Sequence, residues 1–119
     1  MMSATNKAIL EQANAAISTG NYEGFLAFCS EDTEWTFVGE MTLKGKAAVR
    51  RWMAENYEEP PRFAVAQLLA DGDFVVALGD IMTKDAEGKA VPSSYCDVWR
   101  FDGGKMVELK AFVVAAGPR

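Results

Sequence analysis

The chain has 119 residues, half of them hydrophobic and 24% charged, with a formal net charge of −5 and a pI near 4.7. That length holds one domain with one core, here residues 1–119, and the acidic balance, with Arg50-Arg51 the densest basic pair, argues against a nucleic-acid partner. There is no histidine, which removes Ser–His and Cys–His nucleophiles, the HExxH zinc site and most other transition-metal sites, so any proton transfer falls to Asp, Glu, Lys, Tyr, Cys or water.

Helical spacing of Ile9, Ala13, Ala16 and Ile17 predicts a first helix over 3–19, stopped by Gly20. Asn21 is placed to cap a short second helix containing Phe25, Leu26 and Phe28. Residues 34–38 alternate and are rich in β-formers, which predicts a strand, and 39–44 read as a turn or loop. A third helix is expected over 46–56 with Ala48, Val49, Trp52 and Met53 inward, ended by Glu58-Glu59-Pro60-Pro61. Strands at 62–70, 74–83, 91–101 and 106–114 follow, joined by short turns at 71–73, 85–88 and 102–105, which is an antiparallel meander. Helices first and strands after is the α+β pattern, with helices packed on one face of a curved sheet. No apolar run reaches bilayer-spanning length, and residues 1–10 lack the order of a signal peptide, so the expectation is a cytoplasmic protein without a membrane partner. Cys29 and Cys96 lie in apolar segments and read as free thiols.

Asp97 stands out. In Ser93-Ser94-Tyr95-Cys96-Asp97-Val98-Trp99-Arg100-Phe101, alternation puts Tyr95, Asp97, Trp99 and Phe101 on one face and Cys96, Val98 and Arg100 on the other. A carboxyl flanked by rings is costly to ionise, so it either stays protonated and donates a hydrogen bond or serves a site. The alternative is a structural Asp satisfied by Tyr95, a backbone amide or water. Asp80 shares a face with Val76, Leu78 and Met82, unusual company for an acid, unless water reaches it at a strand end. Glu40 reads as a solvated turn residue, Glu108 and Lys110 as members of surface pairs, and 71–73 and 85–88 as ordinary turns lacking calcium-loop spacing.

Four segments carry a family resemblance: Ala15-Ala16-Ile17-Ser18-Thr19-Gly20-Asn21-Tyr22-Glu23-Gly24-Phe25-Leu26, Ser30-Glu31-Asp32, Leu43-Lys44-Gly45-Lys46-Ala47-Ala48-Val49, and Val98-Trp99-Arg100-Phe101-Asp102-Gly103-Gly104-Lys105-Met106-Val107 with Glu108 following. In their order and spacing the chain resembles the cone-shaped nuclear transport factor 2-like superfamily, within it the SnoaL-like and ketosteroid isomerase-like group. The resemblance implies a strongly curved, mixed or antiparallel sheet of about six strands. Three helices from the N-terminal half would pack on its concave face, with a deep mouth on one side. It also implies a homodimer packed through the outer sheet face. Asp97 looks like the acid that ketosteroid isomerase holds neutral to donate to an oxyanion. The tyrosine donor of that site falls at Ala13, and its general base near Thr36 or Phe37, so the steroid proton shuttle is incomplete. Asp80 resembles one acid of the Asp-Arg-Asp centre of limonene-epoxide hydrolases, whose arginine and second aspartate fall at Leu78 and Val114.

The expectation is therefore a SnoaL-like protein with an apolar pocket for a small hydrophobic molecule. Asp97, Asp80 and Tyr95 are the candidates for chemistry, and Trp35, Phe37, Trp52, Tyr57, Trp99 and Phe112 for the pocket wall. Cofactor-independent acid–base work, as in an isomerase, cyclase, dehydratase or hydrolase, is one reading. A non-catalytic binding or dimeric association module is the other, and enzyme status stays open. No motif implies a metal or a prosthetic group.

Overall fold

The end of the first helix sets the layout of the N-terminal half. Gly20 adopts φ +83°, Asn21 N–H reaches Ala16 C=O at 2.9 Å and Gly20 N–H reaches Ile17 C=O at 3.1 Å, a Schellman turn that closes α1 (Met2–Ser18). Asn21 then opens α2 (Tyr22–Leu26), its Oδ1 accepting Gly24 N–H at 2.9 Å. The computed structural model describes residues 2–115. The buried stripe of α1 is Asn6, Leu10, Ala13 and Ile17, at helical spacing but turned slightly from the expected one, so that Ile9 and Ala16 flank it.

β1 (Cys29–Phe37) begins five residues before the predicted strand. Its first half pairs irregularly with β6, the register shifting between Cys29 and Glu34, which is why 30–32 show no clean alternation. Thr33 anchors this irregular stretch: it is fully buried, and its Oγ1 donates to Met106 C=O at 3.0 Å. β2 (Met41–Lys44) occupies the segment read as a loop and pairs antiparallel with β1. It buries no side chain fully, so the period-2 signal that marks a half-buried strand is missing. Gly45, at φ +94°, donates its N–H to Thr33 C=O at 2.7 Å and turns the chain into α3 (Lys46–Asn56), which buries Val49 and Met53. Arg50 on α3 grips Glu23 on α2 with two bonds of 2.8 and 3.1 Å; solvent screens the pair at this exposure, so it ties the helices together with little effect on stability.

β3 (Phe63–Asp71), β4 (Phe74–Lys84), β5 (Ala90–Asp102) and β6 (Lys105–Ala115) form the expected antiparallel meander. β6 runs parallel to β1, giving a six-stranded mixed sheet in the order β2-β1-β6-β5-β4-β3. α1 packs over β3 and β4, α3 over β1 and β2, and Phe25 of α2 meets Trp35 and Trp99, so all three helices lie against the concave face. This is the α+β cone expected from the sequence. Among the described residues, no helix is long and apolar enough to cross a membrane.

Candidate functional site

Two rows of register partners cross the concave face and build the site. One row is Trp35 (β1), Leu109 (β6), Trp99 (β5) and Val75 (β4); the next is Phe37, Ala111, Asp97 and Ala77. Along its own strand Asp97 stands between two large buried rings, Tyr95 and Trp99. Across the strands its neighbours are two buried alanines, Ala77 and Ala111. Large residues along the strand and methyl groups across it leave a hollow over the carboxyl.

That hollow measures about 110 Å³. Rings form nearly half of its wall: Phe25, Trp35, Phe37, Tyr57, Phe63 and Trp99, with Tyr95 beside the acid. The rings brace one another edge to face. Trp35 meets Trp99 at 5.6 Å and 84°, and Phe25 at 5.8 Å and 85°. Asn14 and Ile17 of α1 and Pro61 help close it. Tyr95 is seated over Gly79: a Cβ there would fall 2.9 Å from the Tyr95 ring and hydroxyl and would run into the Ala64 carbonyl of β3. Glycine at 79 thus lets the tyrosine lie flat against β4.

Burial out of water pushes the Asp97 carboxyl up to about 7. Part of its surface still faces the hollow, and among the described residues no hydrogen bond reaches it. Two phenols feel it. Burial first, and then the Asp97 charge, raises Tyr95 to about 12 and pushes Tyr57 well above the usual tyrosine range. Among the described residues, Asp97 is the one carboxyl in the lining, which holds no Lys or Arg. A carboxyl titrating near neutrality is present in both forms at physiological pH, so it can give or take a proton.

Of the residues expected to form the site, Asp97, Tyr95, Trp35, Phe37, Tyr57 and Trp99 come together here. The others do not. Phe112 is the register partner of Cys96 and stands on the outer face, 42% exposed; Ala111 and Val113 on either side of it reach the hollow instead. Trp52 stacks on Phe37 at 4.8 Å and meets Tyr57 at 5.2 Å, which places it in the packing behind those rings and outside the lining. Asp80 is exposed on the outer face in an open groove of about 500 Å³ with Arg62, Met82 and Ser94. This groove is the larger depression, but Asp80 stays in water there, whereas the smaller hollow buries its acid. Of the positions where relatives' acids are expected to fall, Val114 and Thr36 point outward as partners of Ser94 and Lys110, and Phe37 puts a ring in place of an acid into the hollow. Cys29 is buried and its thiol is pushed up to about 12 by burial, and Cys96 is half-buried on the outer face; both are free.

The sequence reading missed Phe25, Phe63, Asn14 and the two alanines. The rings were legible as aromatic but not as pocket-facing. The alanines carry no signal until strand register is known.

Residues 10–109 match the SnoaL-like domain family. No curated protein matches the chain in sequence. Among solved structures, an NTF2-like protein of unknown function from Cytophaga hutchinsonii is 24% identical, covering 96% of this chain and 100% of that one, with a TM-score of 0.76. TerC co-crystallised with polyporic acid is 20% identical over 90% of this chain and 89% of that one, TM-score 0.78. An LEH-like epoxide hydrolase from M. tuberculosis is 14% identical over 95% and 85%, TM-score 0.83. At these identities the likeness is one of fold.

Proposed function

Because the chain belongs to the SnoaL-like domain family, we propose that it binds a small, mostly apolar molecule in the ring-walled hollow, with the molecule's polar group held against Asp97. The observation that carries this reading is the carboxyl itself, shifted toward neutrality by burial and without a hydrogen-bond partner among the described residues. A buried polar group left unmade costs about 1–3 kcal/mol, a cost that a ligand's polar group would relieve. TerC, a protein of the same fold, was co-crystallised with polyporic acid, which supports a small-molecule occupant here.

Size narrows the occupant. The hollow, at about 110 Å³, is well below the ~300–1,000 Å³ of drug-sized sites and near the ~150 Å³ apolar cavity that accepts benzene. One six-membered ring with a short polar arm fits; a steroid does not. Proton transfer on such a ligand would pass through Asp97, taking and returning the same proton, with Tyr57, Tyr95 and Asn14 as neutral hydrogen-bonding groups around it. Binding of benzyl alcohol and of benzylamine, followed by saturation-transfer NMR on the intact protein and on Ala111→Leu, tests the reading. Binding of either that is lost in Ala111→Leu supports it, and the absence of binding of both to the unmodified protein refutes it.

We also propose that two copies pair through the outer sheet face. Leu69, Phe74, Phe112 and Val114 are 50%, 44%, 42% and 68% exposed, an apolar surface of the kind that marks an interface.

A further inference from the structure

The charge balance of the hollow has a direction. Among the described residues its lining contains one carboxyl and no cationic side chain, so carboxylate and phosphate ligands would meet an uncompensated acid. Seven of the lining residues are aromatic, and aromatic faces carry partial negative charge that attracts cations, ammonium ions above all. Asp97 lacks an internal partner among the described residues, although a buried carboxylate is stable only when paired. The phenols of Tyr57 and Tyr95 both lie within reach of its charge, so Asp97, once ionised, makes the hollow negative.

We propose that the polar group held by Asp97 is a protonated amine: the hollow is a site for a small aryl- or alkylammonium ion, caged by rings and paired with the one carboxyl. This rests on the binding role proposed above and names the charge of the ligand. An entering ammonium supplies the missing counterion and lies among ring faces, whereas a neutral carbonyl or alcohol uses only the hydrogen bond. No bond within the ligand is made or broken; the proton of the carboxyl passes to solvent water or buffer, leaving the carboxylate to pair with the ammonium.

The sign of the pH dependence separates the two ligand types. The titratable groups facing Asp97 are Tyr57, beyond α3, and Tyr95 on β5; the lining residues from α1, α2, β1, β3, β4 and β6 are uncharged. Both phenols stay protonated below pH 9, so Asp97 alone changes charge between pH 6 and pH 8. With its carboxyl at about 7, the affinity for an amine that stays protonated rises about tenfold from pH 6 to pH 8. Affinity for a neutral acceptor falls over the same range.

The experiment is calorimetric titration of the full chain with benzylamine and with benzyl alcohol at pH 6 and pH 8. The expected result is tighter binding of benzylammonium at pH 8, strengthening by about tenfold from pH 6, and loss of that preference in Asp97→Asn. Benzyl alcohol binding as well as benzylamine, or an amine affinity that does not rise with pH, overturns the ammonium assignment and leaves the binding role standing. Amine binding that survives in Ala111→Leu lies outside the hollow and also overturns the assignment. If neither ligand binds, the binding role fails with it. The pH series uses the unmodified protein, so the outcome does not depend on how the variants fold.

Discussion

Asp97 and Ala111 face one another across the β5–β6 ladder, and the small methyl of Ala111 is what leaves the carboxyl uncovered on that side. Ala77 does the same from β4. The hollow is thus made by two alanines set beside an acid, within a frame of rings that cannot collapse inward because they already brace each other.

Filling the hollow should therefore abolish binding with little effect on the fold. Ala111→Leu places its added carbons into empty space, where overpacking costs are small. Its unfolding free energy in urea is expected within about 1 kcal/mol of the parent, while affinity for benzyl alcohol falls at least tenfold. A large loss of stability would mean that the space over Asp97 is already filled.

The acid should also leave a mark on stability. Its folded value of about 7 lies above the ordinary 3.8, so the folded state holds the proton more tightly than the unfolded chain. Stability attached to Asp97 is fully present below about pH 4, declines as pH rises toward 7, and is gone above it. Asp97→Asn removes this dependence. The variant should match the parent at pH 4 and exceed it at pH 8, by up to about 4 kcal/mol if the full shift is realised. Thermal melts of both proteins across that range provide the check, and a variant less stable than the parent at pH 8 would contradict the account.

The environment of Asp97 was legible because it is local. Tyr95 and Trp99 lie two residues to either side, and a strand puts them on one face whatever it pairs with. The alanines were not legible, since they come from strands whose register is set by tertiary pairing. Phe112 shows the same limit. It sits in Ala111-Phe112-Val113-Val114, apolar on both faces, so alternation cannot say which side is inward. Asp80 lies in a similar two-sided apolar strand and proves to be outside. β2 escaped notice because it buries no side chain fully. The helices and the four-stranded meander were readable because α1 and α3 each carry an apolar stripe and every connection in the meander is short.

Gly79 is required by the ring above it. Gly79→Ala drives a methyl group into the Tyr95 ring and the Ala64 carbonyl, and the cost is expected to be about 1–3 kcal/mol. Urea unfolding measures it. Because Tyr95 must shift, ligand affinity should drop as well, and an unchanged affinity would separate Tyr95 from the site.

On the outer face, Phe112→Arg should convert the chain to a monomer without altering ligand binding, since Phe112 lies outside the hollow lining. Sedimentation velocity at several concentrations reads this directly. A parent protein that is monomeric at all of them contradicts the proposed pairing.

The most direct test of the central claim is a pH titration of the aspartate side-chain carboxyl carbons by 13C NMR on labelled protein. One aspartate should titrate near 7, and that resonance should be missing from Asp97→Asn. If every aspartate titrates in the usual range of about 3–5, Asp97 stands in water and the hollow has no acid to offer a ligand.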